Sequence, residues 1–244
     1  MVIRATKDDL SDAVLRPVRG HHAFESCVGR LATAIRLGVY ADGAALPPER
    51  ELATRMEVSR ATLREAIAAL RTAGLVRTTR GRGGGTIVHY DPRHPETETL
   101  ADLGDRREGL LDSLVFRRVV EGGACHVAAR RTLNDEQCAL LRKAHERVAA
   151  ADEPGLHRQA DSQFHLAIAT VTESPLVVDA VTGVQADLHD MLMAIPVLDV
   201  NIEHSNDQHA AITDAILGGK PTKARRVMES HCDDTEALLR GLLG

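Results

Sequence analysis

Tryptophan is absent and aromatic residues make up only 2% of the 244-residue chain. Its cores must therefore be built from Leu, Val, Ile and Ala, which suits packed helices better than sheets, so a mainly α protein is expected. No run of 18 apolar residues occurs, which excludes a membrane-spanning helix. The opening Met1-Val2-Ile3-Arg4 soon becomes charged and has no apolar stretch of signal-peptide length. The four cysteines, Cys27, Cys125, Cys138 and Cys232, show no C-x-x-C spacing and fall inside helix-like patterns. Free thiols in a reducing compartment follow, and a soluble cytoplasmic protein is expected. H-E-x-x-H, P-loop and nucleophile-elbow motifs are all missing, which argues against an enzyme.

What is present divides in two. The chain is longer than the usual domain, and its net charge of -5 hides an asymmetry. Residues 1 to 92 hold 14 Lys/Arg and 10 Asp/Glu, whereas residues 93 to 244 hold 16 and 25. A basic half joined to an acidic half fits polyanion binding by the first and another task for the second. The expected organisation is an arm over 1 to 20, a winged helix-turn-helix over 21 to 90, a proline-containing linker over 91 to 107, and an antiparallel helical bundle over 108 to 244.

In the basic half, Phe24, Val28, Leu31 and Ile35 recur at helical spacing. Pro47 and Pro48 precede a short helix running to about Met56. Ser59 can cap the next one, whose buried stripe is Leu63, Ile67 and Leu70. Two β-prone runs, 75 to 79 and 86 to 90, flank the glycine-rich Arg80 to Gly85 and read as a hairpin. Arg60 and Arg64 project from the exposed face at the start of the second motif helix, where a recognition helix meets base edges. Ser59 and Thr62 are short donors beside them, and Arg50 starts the preceding helix. Residues 50 to 82 hold eight Arg against three acidic residues, a cluster suited to phosphate neutralisation.

The segments Leu46-Pro-Pro-Glu-Arg-Glu-Leu-Ala53, Val58-Ser-Arg-Ala-Thr-Leu-Arg-Glu-Ala66 and Gly81-Arg82-Gly83 resemble the DNA-binding domain of GntR-type regulators. The resemblance implies Arg50, Arg60 and Arg64 as the main DNA contacts, assisted by Ser59, Thr62 and the wing residue Gly81.

In the acidic half, Asp161 and His165 stand four apart on a helix whose other face carries Phe164, Ile168 and Val171, while His209 and His231 fall on the last two helices. One carboxylate and three imidazoles suit Zn²⁺, Ni²⁺ or Mn²⁺ with positions left open, although spacing alone does not prove it. The segments around Asp161 to His165, His209 to Ile216, and His231 resemble the helical FCD ligand domain of the FadR branch. That resemblance implies a divalent metal on Asp161, His165, His209 and His231 that holds a small carboxylate effector, and a homodimer reading a pseudo-palindromic operator. It also places Arg117 in the cavity to pair with the effector; the alternative is a plain salt bridge with Glu121. Gln208 stands where the branch commonly has Glu, and Ser174-Pro175 replaces an Asn-containing turn; neither is expected to touch a ligand. A regulator, most simply a repressor, is the function expected. A structural or sensed metal without an organic effector, or a metal-dependent hydrolase, are the alternatives.

Overall fold

The computed structural model describes residues 23–79, 85–92, 107–193 and 199–243, which form a small basic domain and a larger helical one. Helix α1 (Ala23–Arg36) buries Cys27, Leu31 and Ile35, one residue per turn. Pro48 ends in extended backbone and α2 (Glu49–Arg55) follows, with Glu49 and Glu51 in its first turn, where the helix dipole favours negative charge. Ser59 then caps α3 (Arg60–Thr72), its hydroxyl accepting from the Thr62 amide at 3.0 Å. Leu63, Ala66, Ile67 and Leu70 face inward from α3. Strands β1 (Val76–Thr78) and β2 (Thr86–Val88) pair antiparallel, Arg77 opposite Ile87. The helices and hairpin share one core of Leu31, Ile35, Leu52, Leu63, Leu70, Val76 and Val88. This is the winged helix-turn-helix anticipated from the sequence.

The larger domain consists, among the described residues, of α4 (Arg107–Arg130), α5 (Asp135–Ala150), α6 (Pro154–Val171), α7 (Pro175–Met193), α8 (Asp199–Leu217) and α9 (Pro221–Leu243). Proline opens three of these helices, α6, α7 and α9, for a physical reason: at the first helical position its missing N–H is no loss. Asn134 starts α5 with a capping box, exchanging hydrogen bonds with Gln137 at 2.8 and 3.0 Å. Helix α8 begins at Asp199. The core is aliphatic around a single ring, with Leu141, Val148, Ile168, Val171, Ile212, Ile216 and Met228 packed about Phe164. All four cysteines are unpaired; Cys27, Cys125 and Cys232 are buried and Cys138 is partly so. Among the described residues no helix is long and apolar enough to cross a membrane.

The two domains meet through the end of α1. A helix leaves its last carbonyl oxygens without partners, and here two glutamines of α6 meet that of Arg36 and that of Gly38 just beyond the helix. Gln159 donates to the Arg36 carbonyl at 2.9 Å, and Gln163 donates to the Gly38 carbonyl at 2.9 Å while accepting from Arg147 at 2.9 Å. Gly38 has φ +70°, and a Cβ built there would lie 2.7 Å from the Gln163 amide nitrogen and 2.8 Å from the Gln159 carboxamide. Gly38→Ala should therefore strain the backbone and push both amides off their carbonyls, costing about 1–3 kcal/mol. Urea denaturation checks this; an unchanged midpoint would contradict it.

Candidate nucleic-acid interface and metal centre

Arg50, Arg60 and Arg64 are all exposed, the last two one turn apart on α3. They are not equally free. Arg64 Nε donates to Glu49 Oε2 at 2.7 Å, which ties α3 to the start of α2. Ser59 and Thr62, expected as donors to DNA, also serve the fold: their hydroxyls lie 2.8 Å apart while Ser59 caps α3. Arg77 is exposed at the start of the hairpin. Gly81 lies outside the described residues.

In the larger domain, Asp161, His165, His209 and His231 converge from α6, α8 and α9, their ligand atoms all within 4.8 Å of one another. His209 Nε2 is 3.3 Å from Asp161 Oδ1, and His165 Nε2 is 3.9 Å from Asp161 Oδ2. The His165 and His231 rings stack with centroids 5.2 Å apart, and Phe164 packs against His209 at 4.5 Å. The three histidines are buried; the Asp161 side chain is 14% exposed. Burial pushes His209 down to about 3, against the pull of Asp161, and pushes His231 well below the ordinary histidine value. Both imidazoles are therefore neutral at pH 7, the form that binds metal.

Both ring nitrogens of His165, Nδ1 of His209 and Nε2 of His231 are buried without a hydrogen-bond partner in the protein. Buried polar atoms left unmet cost about 1–3 kcal/mol each, so four on three neighbouring imidazoles is an expensive arrangement for purely structural side chains. A cation that accepts imidazole lone pairs beside a carboxylate is what the set matches. The residues fit a divalent metal.

A charged layer lies behind the cluster. Arg117 and Glu121, at 1% and 2% exposure, pair one turn apart on α4 at 3.2 Å. Glu121 also accepts from Gln185 at 2.7 Å and lies 2.8 Å from His165 Nδ1, off the line of a hydrogen bond. Burial alone would raise the Glu121 carboxyl, but His165, Arg117 and the Gln185 amide outweigh it and hold it at about 2. Burial likewise works against the Arg117 charge, and Cys232, Glu121 and Asp161 more than offset that, so Arg117 stays a cation. The salt bridge with Glu121 thus exists, yet Arg117 Nη1 has no partner in the protein, so one end of the guanidinium is left over. The expectation that Gln208 touches no ligand is corrected: its Oε1 lies 3.0 Å from His231 Nδ1. The cause is helical spacing, since Gln208 and His231 face each other across α8 and α9, which adjacency to His209 in sequence does not reveal. Two openings frame the domain. One of about 980 Å³ lies between the domains, lined by Leu37, Gly38, Gln159 and Gln163. A smaller one of about 370 Å³ reaches His231, and Gln208 and Asp234 also line it.

Comparison with known proteins agrees with both halves. Residues 25–88 match the bacterial regulatory proteins of the gntR family, and residues 112–234 match the FCD domain. The HTH-type transcriptional repressor NanR of Salmonella newport (strain SL254) is 30% identical over 237 residues, covering 93% of this chain and 89% of that protein. RmpR of Mycobacterium gastri, described as an HTH-type transcriptional regulator, is 28% identical over 241 residues, covering 93% and 84%. The structure of E. coli McbR/YncC shares the fold with a TM-score of 0.54 at 16% identity, over 91% of this chain and 99% of that one. Regulators with this pair of domains bind DNA rather than catalyse a reaction. The chain belongs to the GntR family of bacterial transcriptional regulators, with an FCD domain behind its DNA-binding head.

Proposed function

We propose that this chain is a homodimeric repressor whose grip on a pseudo-palindromic operator is set by a small carboxylate held at a divalent metal, Zn²⁺, Ni²⁺ or Mn²⁺. The observation that carries the reading is the double use of α6. Asp161 and His165 point to the metal set, and Gln159 and Gln163 donate to the Arg36 and Gly38 carbonyls of the DNA-binding domain. At about 100° per residue the two pairs lie about 200° apart on the helix. A displacement of α6 that improves the site must therefore also move the contact with the head. An effector changes DNA binding only if it favours one such arrangement over another.

A bound metal supplies a Lewis acid to which a carboxylate can attach. Asp161, His165, His209 and His231 hold it, and the spare Nη1 of Arg117 is a cation suited to the effector's charge. Pairing of protomers is supported by the exposed apolar strip Val115, Phe116 and Val119 on α4, each at least 50% exposed. Repression follows the relative NanR, whose name states it. On DNA, Arg60 and Arg64 reach base edges, Arg50, Ser59 and Thr62 serve phosphates or neighbouring bases, and Gly81 lets the wing approach.

Arg64→Ala tests the reading head. The side chain is 60% exposed, so the fold should survive, and specific operator affinity should fall about 10- to 100-fold, the equivalent of about 1–3 kcal/mol. Fluorescence anisotropy with an operator fragment measures this. Wild-type affinity in the variant would remove Arg64 from the interface.

A further inference from the structure

The Gln208 side chain joins a buried histidine to a surface carboxylate. Its Nε2 donates to Asp234 Oδ2 at 2.7 Å, and its Oε1 lies 3.0 Å from His231 Nδ1. The same Asp234 oxygen is 3.1 Å from His204 Nε2. A carboxylate only accepts, so the nitrogen of the amide must face Asp234 and its oxygen must face His231. An amide oxygen also only accepts, so His231 Nδ1 must carry the hydrogen. A neutral imidazole holds a single ring proton, which leaves Nε2 as a bare lone pair. That atom is buried and has no partner in the protein.

We propose that Gln208 is a positioning residue: oriented by Asp234, it holds the His231 proton on Nδ1 and so presents Nε2 to the metal. The proposal rests on the metal reading of the site and adds the group that selects the tautomer. Metal-binding histidines depend on the partner of their other nitrogen, whose loss costs about 10- to 100-fold in metal affinity. A neutral amide fixes the tautomer without adding negative charge, so Asp161 remains the one carboxylate among the four ligands. Asp234 and Gln208 also line the 370 Å³ opening, so the outer end of this chain of hydrogen bonds stands at the entrance to His231.

Two measurements on the full-length protein test this. Long-range ¹H–¹⁵N correlation spectra of metal-free wild type should show His231 protonated at Nδ1; the Nε2–H form would overturn the proposal. Competition with a chromophoric chelator for Zn²⁺ should show Gln208→Leu binding about 10- to 100-fold more weakly. Gln208→Glu keeps an acceptor toward Nδ1 and should recover the greater part of that loss. Unchanged Zn²⁺ affinity in Gln208→Leu, with wild type binding Zn²⁺, overturns the proposal alone. Wild type that takes up no Zn²⁺ overturns it together with the metal reading.

Discussion

Glu121→Ala should destabilise the protein by about 3–5 kcal/mol, because it strands the Arg117 guanidinium in the core. Arg117 is 1% exposed and already has one end without a protein partner; Glu121 is the acidic group it pairs with. The substitution also removes the oxygen that receives the Gln185 amide at 2.7 Å. Arg117, Glu121 and Gln185 are all buried. The cost should therefore come from desolvated charge rather than from lost volume. The double variant Arg117→Met, Glu121→Leu separates the two causes. It removes both charges at similar volume and should recover most of the loss, since buried ion pairs replaced as a unit are often neutral or stabilising. Urea denaturation of the two variants decides it. A single variant that loses less than about 1 kcal/mol, or a double variant no better than the single, would contradict the account.

Much of this was legible in the sequence, and the rest was hidden for identifiable reasons. The stripe Leu63, Ile67 and Leu70 marks α3, and the glycine-rich run between two β-prone segments marks the hairpin. Asp161 and His165 were readable as neighbours because a four-residue step returns to one helix face. Their meeting with His209 and His231 depends on how α6, α8 and α9 pack, and only the family resemblance carried that information. Gln208, Glu121 and Gln185 left no local signal as supports: polar residues on helices usually face water, and their partners are 23, 44 and 64 residues away. Gln159 and Gln163 were hidden for the same reason. Their hydrogen bonds run to backbone carbonyls 123 and 125 residues distant, which leave no periodicity in sequence.

The larger expected effect concerns the metal. His209→Ala together with His231→Ala removes two of the four proposed ligands, so the loss of affinity should far exceed the about 10- to 100-fold that follows loss of a supporting partner. The metal-free variant should nevertheless fold. The substitutions open cavities beside Phe164, but they also delete buried nitrogens that lack hydrogen bonds. Wild type should behave differently when metal is added: at a free concentration 100 times Kd, binding stabilises it by about 2.7 kcal/mol. The variant should gain nothing, which separates a true site from general surface binding.

The most direct measurement is therefore metal analysis of the purified, folded wild type and of the His209→Ala, His231→Ala variant after identical loading and dialysis. One divalent ion per chain is expected in the wild type and none in the variant. Equal metal content in the two proteins would contradict it.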